Sequence, residues 1–217
     1  PITAGVDLFK RKITYYSYGN VSGYTQESTG ASLVTGFLVG KWSRAFLNYT
    51  YEVIKLSEAD PADLTDPFYS GVGGINYGPQ YDPLLYGDFG ERKESRITPN
   101  FVYNTVDSPF TPRAGMRHTA TVMFAGGPLG GTVDYIRPNL EAIVYQPIGR
   151  KMSLGMRAEA ALIHPYGDTK VLPLYQRYFL GGETQIRGYN IRSIGPVDSQ
   201  GRALGGDKFG LFNAEYY

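Results

Sequence analysis

A chain of 217 residues has the length of one domain or of part of one. Its 21 Lys and Arg against 20 Asp and Glu give a net charge of +1, which offers no electrostatic case for binding nucleic acid, and the lack of Cys excludes a disulfide framework or a thiolate metal site. No apolar run approaches the roughly 18 residues that a membrane-spanning helix needs.

Apolar and polar residues alternate at a period of two in several segments, which predicts β-strands and no helix. The most regular segment is residues 152–162, where Leu154 and Met156 point to one side and Arg157 and Glu159 to the other. In chain order the eight predicted strands are residues 3–15, 31–39, 45–53, 97–104, 116–124, 136–145, 152–162 and 210–216. The sequence therefore predicts an all-β antiparallel fold.

The connections between these strands differ in length from one end of the sheet to the other. Residues 41–44, 107–115 and 147–150 are short, residues 57–94 and 164–208 are long, and residues 126–131 are an exception of modest length. Outer-membrane barrels show this asymmetry, with short periplasmic turns and long external loops. We therefore predict that residues 57–94 are external and that residues 41–44 and 147–150 face the periplasm.

The two faces of the strands also suit a membrane barrel. Asn48, Thr50 and Glu52 share one face and would be costly in a dry core, whereas they suit a water-filled lumen. The apolar face suits lipid, and a low mean hydropathy is normal for alternating strands. Tyrosines at strand ends are predicted to form interfacial girdles; they are Tyr15, Tyr16, Tyr49, Tyr51, Tyr103 and Tyr145. The alternative is a soluble antiparallel barrel whose apolar face is its core.

The longest connection, residues 164–208, has neither helical nor strand periodicity. Long irregular segments usually carry function. Within it, Arg187 is flanked by Ile186, Gly188 and Tyr189, a pattern that predicts one charged group held in place by a tight turn. The alternative is an exposed loop arginine without a role.

No constellation in the sequence indicates a catalytic, cofactor or metal site. His118 and His164 have no metal-ligand spacing around them, and the Gly181–Gly182 pair lacks the Lys of a phosphate-binding loop. Asp60, Asp63 and Asp66 lie in a Pro-rich loop without the glycine and glutamate of an EF-hand. We therefore expect no enzymatic activity, no cofactor and no metal.

The long connection carries a recognisable set of residues, namely Phe179, Gly181, Gly182, Ile186, Arg187, Gly188, Tyr189, Ile194, Gly195 and Pro196. In this set the chain resembles the BamA-like barrels of the outer-membrane protein assembly superfamily. That family has an aromatic residue, a Gly-Gly pair, a Val/Ile-Arg-Gly-aromatic run and then Ile-Gly-Pro. Residues 107–115 are similar to the family's Asp-Pro-Gly periplasmic turn.

The resemblance implies a transmembrane antiparallel barrel of sixteen strands, of which the eight here are similar to the fifth through the twelfth. Residues 1–217 are then one partial barrel domain, and the other strands and the POTRA modules lie outside it. The first residues already read as strand and not as a signal peptide, so the chain is expected to begin inside a larger protein. The resemblance also implies that the loop at about 164–208 folds inward and places Arg187 against Glu215 on the barrel wall.

For function, the resemblance implies an assembly factor that folds and inserts β-barrel proteins into the bacterial outer membrane. The implied partners are unfolded outer-membrane proteins, the lipid bilayer and periplasmic lipoprotein subunits. A polypeptide-secreting pore of the two-partner type, which shares the Arg-Gly-Tyr loop, remains an alternative, as does a passive porin or structural barrel. The Ile194-Gly195-Pro196 continuation favours the assembly factor.

Overall fold

The computed structural model describes residues 2–15, 24–58, 90–150, 152–197 and 203–217. Asp60, Asp63 and Asp66 lie outside the described residues, as do most of the predicted external connection at 57–94 and Tyr16 of the predicted girdle.

Nine β-strands make up most of the described chain. They are β1 (Ile2–Tyr15), β2 (Tyr24–Leu38), β3 (Ser43–Glu58), β4 (Gly90–Asn104), β5 (Gly115–Ala125), β6 (Tyr135–Ile148), β7 (Met152–Leu162), β8 (His164–Pro165) and β9 (Lys208–Tyr216). Two single 3-10 turns, Gly127–Leu129 and Leu174–Gln176, are the helical segments of this part of the chain. Neither is long or apolar enough to cross a membrane as a helix.

The strands form one antiparallel sheet in the order β1-β2-β3-β4-β5-β6-β7-β9. Each long strand pairs with the next along the chain, and the two-residue β8 pairs with β6. Within the described residues β1 and β9 are the outer strands and do not pair with each other. The predicted all-β antiparallel fold is confirmed.

The two faces of the sheet have opposite chemistry, as the alternation predicts. On β7, Ser153, Gly155 and Ala161 are buried on the inner face, which the long loop covers, while Leu162 is exposed on the other. On β6, Leu140 is exposed outward and its neighbour Glu141 points inward. The charged positions of β6 and β7 thus lie on the inner face.

The predicted strands were too short at several ends, most of all at the beginnings of β2 and β4, and the two-residue β8 was not predicted. β2 begins at Tyr24 and not at residue 31, and β4 begins at Gly90 and not at residue 97. Apart from the buried Tyr24, the additional strand residues are polar or glycine on both faces, so the apolar alternation fails there although the backbone ladder continues. In β4 the inward residues of this extension are Glu94 and Arg96, which are charged because they bind each other and the loop.

Two members of the predicted tyrosine girdle also lie on the other face. Tyr15 packs inside, with its ring 4.7 Å from that of Tyr24, and Tyr145 lies inside near Tyr217, with ring centroids 6.4 Å apart. Tyr49 and Tyr51 face outward and are exposed. Position at a strand end does not determine which face a tyrosine takes, because the side chains alternate.

The turns at one end of the sheet are short and closely bonded. The β2–β3 turn is closed by the Val39 N–H, which donates to Ser43 O at 3.1 Å. In the β4–β5 turn, Asp107 Oδ1 accepts the backbone N–H groups of Ser108, Arg113 and Ala114 at 2.9, 3.0 and 3.3 Å. These bonds stabilise the carboxylate, so they hold the pKa of Asp107 below its ordinary value.

The described residues of the loop between β7 and β9 form a hairpin that lies on the inner face. Bridges join Tyr178 to Gly206 and Leu180 to Ile194, so the two arms run beside each other. The base of the loop closes a buried cluster against β5, β6 and β7, formed by Ala125, Val133, Tyr135, Ala161, Ile163, Leu172 and Tyr178. This packing fixes the base of the loop on the inner face.

Candidate functional site

The tip of the loop is a tight turn that presents Arg187. The Ile186 N–H donates to Gly182 O at 2.9 Å, and the Gly182 N–H donates to Tyr189 O at 3.0 Å. A side chain is excluded at Gly181, where a Cβ would lie 2.1 Å from Asn190 O and where φ is +119°. The Gly-Gly pair of the motif therefore closes the hairpin tightly enough to bring its two arms into contact.

Arg187 and Glu215 lie within salt-bridge distance. The Nη2 atom of Arg187 is 3.3 Å from Oε1 of Glu215, and the Tyr217 hydroxyl donates to the other carboxylate oxygen at 2.6 Å. Arg187 remains 74% exposed and Glu215 36% exposed. The pair is therefore largely open to water, and its functional role stays a prediction.

Two further contacts fix the tip to the wall through its backbone. Arg157 Nη1 on β7 donates to Thr184 O at 3.3 Å, and Asn213 Nδ2 on β9 donates to Gln185 O at 2.9 Å. These carbonyls belong to the turn just before Arg187. The wall thus holds the turn on both sides, independently of the Arg187 side chain.

Arg157 also belongs to a chain of charged groups across the inner wall. Its guanidinium lies 2.9 Å from Glu141 and 2.6 Å from Glu159. Glu141 is also 3.3 Å from Arg117, and Asn139 Nδ2 donates to Glu159 at 2.9 Å. Opposite charges on neighbouring strands satisfy one another here, which is how a polar wall is stabilised.

The base of the loop is fastened at Glu94, which is fully buried. Its carboxylate accepts hydrogen bonds from the loop residues Tyr175 at 2.8 Å and Gln176 at 3.0 Å. It also accepts hydrogen bonds from two residues of the strands, the Arg96 guanidinium at 2.9 Å and the Tyr135 hydroxyl at 3.1 Å. One carboxylate therefore joins three segments of the chain.

The neighbours of Glu94 extend this network along the wall. Glu52, also buried, binds Arg96 and lies 3.2 Å from Arg11 of β1. On the other side Arg137 donates to the Tyr178 hydroxyl at 2.8 Å and to Gln176 at 3.0 Å. The loop base is thus connected to strands from β1 to β6.

The remaining motif residues lie along the hairpin. Ile186 is partly buried, whereas Tyr189 is 59% exposed and contributes little packing at the tip. Ile194 pairs with Leu180, and Pro196 accepts the Leu204 N–H at 2.9 Å, so the Ile-Gly-Pro run belongs to the returning arm. Gly195 lies between them and is exposed.

Sequence reasoning placed Glu52 on the inner face but missed the charged residues that hold the loop base: Glu94, Arg96 and Arg137. One signal was available. Glu94 and Arg96 are two residues apart and precede a predicted strand, so an extended strand would have placed both on its inward face. No group of three or more His, Asp and Glu in the described ranges is arranged to hold a metal ion.

An antiparallel sheet with a polar inner face, against which a hairpin folds, defines a class of β-barrel wall with a lumenal loop. The family model described as the Omp85 superfamily domain matches residues 1–217, and the chain belongs to this superfamily.

Curated relatives and a solved structure resemble the chain. It is 34% identical over 128 residues to the outer membrane protein assembly factor BamA of Nitratidesulfovibrio vulgaris, covering 58% of this chain and 16% of that protein. It is 29% identical over 120 residues to the sorting and assembly machinery component 50 homolog of Mus musculus, covering 55% of this chain and 25% of that protein.

The crystal structure of BamA from Haemophilus ducreyi lacking POTRA domains 1-3 has the same fold. It aligns with a TM-score of 0.74 at 22% identity, over 98% of this chain and 41% of that one. The chain therefore spans only part of the length of the relatives it matches.

Proposed function

We propose that this chain is part of an outer-membrane β-barrel that folds and inserts other β-barrel proteins and catalyses no covalent reaction. The observation that carries the proposal is the docked loop, whose motif residues place Arg187 3.3 Å from Glu215 on the inner wall. Membership of the Omp85 superfamily and the names of the bacterial and mouse relatives support it.

The physical task of such a barrel is to give an unfolded strand a partner for its backbone. In the proposal, unfolded outer-membrane proteins add a strand to an edge of the complete barrel by β-augmentation. The lipid bilayer contacts the outward apolar face, to which Leu140 and Leu162 belong. The inner ion pairs keep the wall and loop ordered while the edge is in use.

We place the protein in the bacterial outer membrane, because the bacterial relative is 34% identical and the mouse relative 29% identical. The relatives support an outer membrane in general, and the bacterial choice belongs to the proposal. Periplasmic lipoprotein subunits are proposed as partners. Affinity purification of the full-length protein from detergent-solubilised outer membranes, with mass spectrometry of the proteins that accompany it, tests the location and the lipoprotein partners.

The secretion-pore alternative has less support. The relatives reported above are assembly components by name, and the returning arm of the loop carries the Ile194-Gly195-Pro196 run. Neither observation favours transport of a polypeptide across the membrane.

Charge reversal of the docked pair tests the proposal. Because both groups are partly exposed, we expect Arg187→Glu to cost only about 0.2–1 kcal/mol of barrel stability. We expect it nevertheless to lower the steady-state level of porins, and Glu215→Arg to restore that level in part. The control is Lys170→Glu, which reverses an exposed charge in the same loop.

The full-length barrel should keep its heat-modifiable mobility on gels in all these variants. Normal porin levels in Arg187→Glu cells would contradict the proposed role of the loop in assembly.

A further inference from the structure

A second arginine of the loop, Arg192, makes a contact of a different kind. Its guanidinium carbon lies 4.0 Å from the ring centroid of Phe179, 4.9 Å from that of Tyr15 and 5.7 Å from that of Tyr24. Phe179 belongs to the outgoing arm of the loop, whereas Tyr15 and Tyr24 belong to β1 and β2. The guanidinium therefore lies between the loop and the wall.

The rings around Arg192 are part of a buried cluster. Tyr24 is 1% exposed and packs with Ile54 and Leu56, and Tyr15 and Phe179 lie against them. The Nε atom of Arg192 is itself buried and has no hydrogen-bond partner among the described residues. Aromatic faces hold a desolvated cation strongly, and a planar guanidinium can stack on them as an ammonium cannot.

The backbone at Arg192 is held in an unusual conformation. Its φ is +62°, and among the described residues no other non-glycine residue has a positive φ. The Ser193 N–H closes the turn on Asn190 O at 3.2 Å. Such a conformation is unfavourable for Arg and persists only when the surroundings fix it, which points to a role for the side chain it presents.

A glycine on the returning arm of the loop makes room for the Phe179 ring beside Arg192. A Cβ at Gly205 would lie 2.7 Å from Cζ of Phe179, so the missing side chain lets the Phe179 ring lie behind Arg192. The loop thus supplies the cation, one ring and the space for that ring, and the wall supplies the other two rings.

We propose that Arg192 is a positioning residue that anchors the loop to β1 and β2. Arg187, five residues earlier, lies against β9, so the two arginines connect the first and last strands of the sheet order across the inner face. Arg192 lies among rings whereas Arg187 is largely exposed, so of these two side-chain contacts the one made by Arg192 is the less accessible to water. The effect of this anchor on protein assembly rests on the proposed function.

Spin-label distances in the full-length protein, reconstituted in lipid, test the anchor. These 217 residues contain no Cys. In a full-length background free of other cysteines, Asn190→Cys in the loop and Leu33→Cys on β2 place the two labels at exposed sites in this region. Arg192→Asn removes the guanidinium and keeps a residue that tolerates a positive φ, Arg192→Lys keeps the charge without the planar stack, and Lys170→Asn is the matched control.

We expect the distance distribution to broaden in Arg192→Asn and in Arg192→Lys and to keep its width in Lys170→Asn. Because the guanidinium contacts the aromatic ring of Tyr15, we expect Tyr15→Phe to keep the width of the distance distribution and Tyr15→Leu to broaden it. A distribution in Arg192→Asn as narrow as that of the unsubstituted protein overturns the anchor.

Porin levels in the same variants separate this inference from the proposed function. A broadened distribution with lowered porin levels supports the positioning role, and a broadened distribution with normal porin levels overturns that role. If Arg187→Glu also leaves porin levels normal, the proposed function has failed while the measured contact of Arg192 stands.

Discussion

Two arginines five residues apart in one loop have opposite surroundings. Arg187 is 74% exposed with one carboxylate beside it, whereas Arg192 is enclosed by Phe179, Tyr15 and Tyr24. Both are single charges in an irregular segment, so the sequence does not indicate which partner each one meets. The difference comes from which strand each one meets, and it determines how much each contributes to holding the loop.

The residue expected to matter most for stability is Glu94. Replacing it with Ala leaves the Gln176 amide without an acceptor in a buried site and leaves the Tyr135 hydroxyl only the weakly accepting Met123 sulfur. Of its two carboxylate partners, Arg96 then retains Glu52. We expect Glu94→Ala to lower the free energy of unfolding by about 3 kcal/mol, and Glu94→Gln by less because one acceptor oxygen remains.

Urea unfolding of the full-length barrel in lipid vesicles measures this loss, and Glu91→Ala, at an exposed position on the same strand, is the control. Equal stability of Glu94→Ala and the unsubstituted protein would mean that the loop base is not held by this carboxylate.

At the scale of elements, short turns and strand faces are fixed by different forces. The β4–β5 turn depends on one carboxylate that accepts three backbone N–H groups, whereas the long strands depend on lipid on one side and paired polar groups on the other. Protonation of Asp107 therefore weakens the turn, whereas a charge placed on the outward face weakens the strands.

The β4–β5 turn predicts a pH dependence with a definite sign. The folded pKa of Asp107 is below its ordinary value of 3.8, so its stabilisation is present above about that pH and is lost as the pH falls through the lowered pKa. We expect Asp107→Asn to lower the melting temperature of the full-length barrel at neutral pH, and the difference to shrink below pH 3.8. A difference that is constant with pH would exclude the carboxylate charge as its cause.

Substitution by Arg is expected to have different costs on the outward and the inward face of the strands. Leu140 on β6 is exposed outward, and Thr119 on the adjacent strand β5 faces inward, where it pairs in register with Glu141. We expect Leu140→Arg to cost about 2–4 kcal/mol of folding free energy in lipid, and Thr119→Arg to be tolerated because the inner face is polar. Folding titrations in vesicles compare the two, and equal costs would show that the faces are assigned wrongly.

At the scale of the whole molecule, the antiparallel order places alternate connections at opposite ends. The β2–β3, β4–β5 and β6–β7 turns share one end, and the β5–β6 connection and the long β7–β9 loop share the other. The long loop then returns to the inner face, so one end of the sheet supplies the element that fills its interior.

This arrangement predicts which end faces outward in cells. We expect a single Cys at Pro128, exposed in the β5–β6 connection, to react with an impermeant thiol reagent in intact cells, and a Cys at Ser43 to react only after the outer membrane is opened. The full-length protein free of other cysteines is the background. Labelling of Ser43→Cys in intact cells together with protection of Pro128→Cys would reverse the orientation.

The sequence by itself determined the eight long strands, except for the beginnings of β2 and β4, and the position of the loop tip. Period-two alternation is a local property of an extended backbone, so β7 was predicted with its observed bounds of Met152–Leu162. The glycines around Arg187 likewise specify a turn locally. The prediction that the tip meets Glu215 came from the family resemblance, and the structure places the two groups 3.3 Å apart.

Only the tertiary structure decided what holds the loop. Glu94 and Gln176 are 82 residues apart in sequence, and Arg192 is far along the chain from Tyr15, so no periodicity connects them. The polar beginning of β4 was hidden for the same reason: its inward residues Glu94 and Arg96 are charged, and a distant segment of the loop binds Glu94. Local patterns report whether a side chain faces water or an apolar phase, whereas a buried ion pair satisfies its charges with partners that the fold brings near.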